Sequence, residues 1–105
     1  MKSSKKILKK IKQTVQKIEP QSEVILFGSR ARGDEKEDSD WDILILIPRQ
    51  ANLKEEQKFR HQLFELELEY GQAISTFVHS KKDWENKYKV TPLYQNIKQE
   101  GIRIG

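Results

Sequence analysis

No cysteine occurs anywhere in this chain of 105 residues, which removes disulfides, thiol nucleophiles and cysteine-ligated zinc from its chemistry. No apolar run approaches the roughly 20 residues of a membrane span. The lysine-rich start lacks the uninterrupted apolar stretch of a signal peptide, so a cytoplasmic protein is expected. That expectation disposes of Arg32-Gly33-Asp34 as a cell-adhesion tripeptide. Internal repeats and low-complexity linkers are missing too, and the length suits one domain over residues 1–105 with a single limited core. Only three prolines are present, and Pro20, Pro48 and Pro92 each fall at a boundary between patterned segments.

Charge is abundant and unevenly placed. Twenty Lys and Arg against sixteen Asp and Glu give a net charge of +4, with lysines crowding residues 2 to 17 and acids clustering from Asp34 to Asp42. A basic helix can touch nucleic acid. Here Ile7, Leu8, Ile11, Val15 and Ile18 recur at helical spacing, which makes the lysines the wet side of a core-facing helix. No aromatic residue interleaves with them to stack on bases, so nucleic acid is not the expected partner.

The coarse pattern is helix, strand, strand, helix, strand, helix, helix. The first helix is expected to start near Ser3 or Ser4, either of which can cap it, and to end before Pro20. Glu23 to Phe27 reads as a strand, and Trp41 to Ile47, continuous and β-branched, as a central strand buried on both faces. Asn52 and Glu55 stand at capping-box spacing before Phe59, Leu63, Leu66 and Tyr70, a helical stripe closed by Gly71. Ala73 to Val78 reads as a third strand. Ser80 with Asp83 opens a short helix, Thr91-Pro92 opens the last one, and Gly101 ends it before an Ile102-Arg103-Ile104 tail. The fold class that follows is α/β (α+β), a small mixed sheet with helices packed on it and the first two strands adjacent.

The chemistry sits in Gly28-Ser29-Arg30-Ala31-Arg32-Gly33 and, seven residues on, Asp40-Trp41-Asp42. Asp40 and Asp42 open a strand two residues apart, so they share a face with Cα atoms about 6.5–7 Å apart. Carboxylates so placed can converge on Mg²⁺, a hard ion that commonly shares its shell with substrate phosphates. Trp41 then points the other way, into the fold. Gly28 lets backbone approach a phosphate, and a short helix starting at Ser29 would aim its first amides at an anion. The Ser29 hydroxyl can donate as well, and Arg30 or Arg32 can add charge-assisted contacts. The alternative is a glycine-bounded turn followed by a solvated acidic loop, and the apolar residues directly before Gly28 and after Asp42 favour the strand-borne site.

At these residues the chain resembles the minimal nucleotidyltransferases of the DNA polymerase beta-like superfamily. Gly28-Ser29, Ala31-Arg32-Gly33, Ser39-Asp40 and Asp42 match its Gly-Ser-x-Ala-Arg-Gly and Ser-Asp-x-Asp signature. The resemblance implies a nucleotidyltransferase fold in which Gly28, Ser29 and Arg32 bind the triphosphate of a nucleoside triphosphate. Asp40 and Asp42 would hold Mg²⁺ as the catalytic pair. A nucleoside monophosphate would then pass to an acceptor hydroxyl, on a partner protein if a partner supplies the acceptor. The family pattern also has a third acid on a later strand, where Ala73 to Val78 contains none, and Ser75 or Thr76 would stand in its place. A hydroxyl neither brings charge to a second ion nor readily accepts a proton. Glu67, Glu69 and Asp83 lie nearby in sequence without a pattern that promotes them. Proteins of this kind are often paired with a small helical HEPN-domain toxin. The alternative function is therefore a catalytically weakened nucleotide-binding antitoxin subunit that neutralises such a toxin. His61 and His79 show no metal-pair spacing, and Tyr88 and Tyr94 read as packing or rim residues.

Overall fold

The computed structural model describes residues 2–105, with side chains described from Lys5 onward. A capping role for Ser3 or Ser4 lies outside the described side chains. The first helix, α1 (Lys2–Ile18), turns Ile7, Ile11 and Val15 fully inward and leaves its lysines from Lys5 onward in water. It leads into β1 (Glu23–Phe27), the four-residue α2 (Ser29–Arg32), β2 (Trp41–Ile47), α3 (Leu53–Tyr70) and β3 (Ile74–Ser80). The chain finishes with α4 (Lys81–Asn86), α5 (Pro92–Glu100) and the two-residue β4 (Ile102–Arg103).

The capping residues act as their chemistry requires. Asn52 accepts the Glu55 N–H at 2.9 Å, Ser80 the Asp83 N–H at 3.0 Å and Thr91 the Tyr94 N–H at 3.2 Å. Each supplies an acceptor to an amide that has none within its helix. Gly71 ends α3 in the left-handed region, which only glycine enters without strain. The Glu55 carboxylate goes to Arg49 rather than back to the cap. Arg49 also reaches Glu19, so it ties the end of α1 to the start of α3.

The four strands form one mixed sheet in the order β3-β2-β1-β4. β1 runs antiparallel to β2 and to β4, while β2 and β3 are parallel, as the long α3 crossover between them allows. Alternation along β2 splits its side chains between two cores. Ile43, Ile45, Ile47 and Trp41 pack under α1 and α3 with Phe59, Leu63 and Val78. Leu44 and Leu46 pack under α4 and α5 with Phe27, Trp84, Tyr94 and Ile97. β2 is thus central and buried on both faces, and a sheet covered on both sides leaves its polar ends as the place for chemistry.

Candidate active site

Gly28 directly follows β1 and has φ 78° and ψ −160°, a conformation that favours glycine. Space demands glycine as well, since a Cβ at this position would fall 2.1 Å from Asp42 Oδ2. The turn backbone is therefore set against the Asp42 carboxylate. Beyond it, the Ala31 and Arg32 N–H groups donate to the Gly28 carbonyl at 3.1 and 3.0 Å and start α2. The amides of Ser29 and Arg30, in the first turn, have no acceptor within the helix. Gly33, at φ 86°, closes the turn by donating to the Ser29 carbonyl.

Asp42 is the second residue of β2 and stands between Phe27 on β1 and Ser75 on β3. Asp40, exposed, lies just ahead of the strand on the same face. The Ser75 Oγ donates to Asp40 Oδ2 at 3.0 Å, so a hydroxyl orients one carboxylate of the pair where a third acid was sought. Of the two hydroxyls named from the sequence, only Ser75 occupies that place. Thr76 alternates to the opposite face, is 6% exposed and lines a groove with Leu63 and Phe64 of α3. Burial pushes the Asp42 carboxyl above its ordinary range, the charge of Asp40 adds to the effect, and Glu100 adds a little more against the opposing pull of Arg32.

A carboxylate whose proton affinity is raised by burial and by a neighbouring carboxylate is a donor that a cation would relieve. All-oxygen donors beside a glycine turn suit a hard ion such as Mg²⁺. Among the described residues no three His, Cys, Asp or Glu side chains are gathered to hold an ion. Asp40 and Asp42 are therefore the extent of the carboxylate set read from the sequence. Glu67 accepts the Ile74 N–H at 2.7 Å, and Glu69 is exposed on α3.

The two arginines of the turn differ in what they touch. Arg30 donates from Nε to the Ser39 carbonyl at 3.0 Å and from Nη2 to that of Glu37, and its guanidinium lies 4.2 Å over the Trp41 ring. It is thereby committed to fastening the acidic loop, and Trp41 is buried as expected, 2% exposed. Arg32 donates from Nε to Asp34 at 3.2 Å and from Nη1 to Glu100 at 2.8 Å. Its charge is felt at Asp42. Glu100, at the end of α5, was not anticipated from the sequence. Its only signal is a tertiary contact spanning 68 residues.

The histidines stand apart. His79 is stacked on Trp84 at 5.7 Å and tilted against Tyr88 at 4.3 Å, centroid to centroid, and burial lowers its proton affinity. His61 is exposed on α3. Tyr94 is buried and donates its hydroxyl to Glu85 at 2.9 Å. A cavity of about 290 Å³ among Ile25, Trp84, Tyr94 and Ile97 includes none of Gly28, Ser29, Asp40 or Asp42.

Comparison with known proteins bears on the family and the fold. A family described as the nucleotidyltransferase domain matches residues 8–104. A relative from Methanocaldococcus jannaschii, provisionally named a protein adenylyltransferase, is 47% identical over 58 residues, which make up 55% of this chain and 59% of that protein. Three crystal structures share the fold at low identity. A toxin–antitoxin with AMP-PNP superposes with TM-score 0.70 at 18% identity, over 93% of this chain and 72% of the other. Two variants of the toxin–antitoxin MntA–HpeT give TM-scores of 0.68 and 0.64 at 16% and 19% identity, over 93% and 90% of this chain and 72% and 68% of the other.

Proposed function

Since the chain belongs to the nucleotidyltransferase domain family, we propose that it moves a nucleoside monophosphate from a nucleoside triphosphate to a hydroxyl on a partner protein. The observation that carries this reading is the seating of the Gly28 backbone against the Asp42 carboxylate. It brings a phosphate-approachable turn and a carboxylate pair to one point. The relative named as a protein adenylyltransferase favours ATP as donor and protein as acceptor, although this chain spans only 59% of that protein. The toxin–antitoxin neighbours favour a toxin as partner, and a small helical HEPN-domain protein is the kind proposed.

In this reading Gly28 and Ser29 offer amides, the Ser29 hydroxyl adds a donor, and Arg32 adds charge to the triphosphate. Asp40 and Asp42 would hold Mg²⁺, with Asp40 oriented by Ser75. When bound, the ion supplies charge neutralisation and orientation of the phosphates. The acceptor oxygen forms a bond to the α-phosphorus, the α–β anhydride bond breaks, and pyrophosphate leaves with the bonding electrons. The acceptor's proton passes to a carboxylate or to solvent. The test is incubation with each labelled triphosphate and Mg²⁺, with and without the product of the neighbouring gene. Label on the partner is the expected result, and nucleotide binding without any transfer would overturn it.

The hydroxyl of Ser75 beside Asp40 supports a second reading, a nucleotide-binding antitoxin subunit with weakened chemistry. The substitution Ser75→Asp separates the two. Restoring an acid that can accept a proton should raise the transfer rate by about 10²–10⁴-fold if the native site is a weakened enzyme. A variant that folds and binds nucleotide yet transfers nothing favours the pure binder, and brisk turnover by the native chain would refute the idea of a crippled site.

A further inference from the structure

Antiparallel pairing of β4 with β1 sets Arg103 opposite Ile25 and Ile102 opposite Leu26. Glu100, the last residue of α5, stands two residues before this pairing, and its charge is felt at Asp42. Close packing holds it there. A Cβ on Gly101 would fall 2.5 Å from the Ile97 carbonyl and 2.9 Å from Ile25 Cγ2, so the end of α5 is pressed onto β1. From that fixed point the Glu100 carboxylate, 19% exposed, accepts from Arg32 Nη1 at 2.8 Å. Asp34 accepts from Nε on the other edge.

We propose that Glu100 is a positioning residue for the nucleotide, fixing the Arg32 guanidinium on the rim of the turn. The proposal rests on the nucleotidyltransferase reading above and adds α5 to its phosphate site. An arginine offers five N–H donors in a rigid fork. Asp34 and Glu100 engage Nε and Nη1, so Nη2 and the second hydrogen of Nη1 remain to meet a phosphate oxygen while the carboxylates stay in place. Without Glu100 the guanidinium, half exposed on a flexible stem, loses its better-buried anchor and must be ordered by the nucleotide itself. Arg30 is held differently, by the Ser39 and Glu37 carbonyls and over the Trp41 ring, so it is anchored to the acidic loop and not to α5.

The experiment measures equilibrium affinity of the full chain for Mg²⁺ with a non-hydrolysable ATP analogue, alongside thermal melting, for the native protein, Glu100→Gln, Arg32→Ala and the double variant. Glu100→Gln should weaken affinity by about 3- to 10-fold, in the lower part of the range of coupling between contacting side chains. That loss should disappear in the Arg32→Ala background, and Glu100→Asp should recover part of it. Unchanged affinity in Glu100→Gln, or an equal loss with and without Arg32, overturns the proposal whatever happens to the melting temperature. If the native protein itself binds no nucleotide, the functional reading fails first and takes this inference with it, and the native arm alone reports that outcome.

Discussion

Gly28 is fixed by two constraints at once, a positive φ and contact with Asp42, and the proposed function adds a third, the approach of a phosphate to its backbone. Gly28→Val should therefore cost about 1–3 kcal/mol of stability from backbone strain alone, and abolish triphosphate binding by displacing the Asp42 carboxylate. Melting and nucleotide titration check it, and normal binding by the valine variant would reduce the turn to a connector. Asp42 behaves in the opposite sense. Its proton affinity is raised by burial and by Asp40, so its ionised form is a strain on the fold that a cation relieves. Asp42→Asn should melt higher than the native protein without divalent ions at neutral pH, and should lose the stabilisation that Mg²⁺ confers. A native protein whose melting temperature ignores Mg²⁺, or a variant that still responds to it fully, would count against the metal site.

Elements with their own local signals were legible in the sequence. The stripe of Phe59, Leu63 and Leu66 between Asn52 and Gly71 gave α3 to within its caps, because both the burial and the terminating hydrogen bonds of a helix are encoded within a few residues. β2 was readable because an unbroken β-branched run has no use except burial on both faces. The third strand extends to Ser80, two residues past the apolar run ending at Val78, since backbone pairing with β2 continues after hydrophobicity stops. β4 was read only as a tail. Its two residues carry no period, and it exists because β1 offers an unpaired edge roughly 75 residues earlier. The candidate site divides along the same line. Gly28, Ser29, Asp40 and Asp42 sit on one hairpin-like unit and could be grouped from spacing. The choice of Ser75 over Thr76 needed strand register, and Glu100 needed the whole path of α5.

At the scale of the whole molecule, the shifted groups give the fold a pH dependence whose parts differ in sign. His79 is half-buried beside Trp84 and Tyr88, with Glu56 and Asp83 near enough to favour its charged form but not to outweigh burial. Its folded proton affinity is therefore below the ordinary value of 6.5. Between those two values the unfolded chain binds more protons, so stability is full above about pH 6.5 and falls as the pH drops through the folded value. Asp42 acts the other way: with a folded value above 3.8, its strain is present at neutral pH and is relieved as the carboxyl takes a proton. Glu19, held low by the Gln21 N–H and by Arg49, and Glu55, held low by Arg49, contribute stability above 4.5 that is lost on further acidification. Melting temperature should thus decline first below about pH 6.5 and decline again below about pH 4.5. His79→Gln removes the first decline and leaves the second, although it also loses the stacking and melts lower throughout. The difference between the native and variant curves is the measurement: it should narrow as the pH falls from 7 to 5, and parallel curves over that interval would show that His79 is not held neutral by its aromatic surroundings.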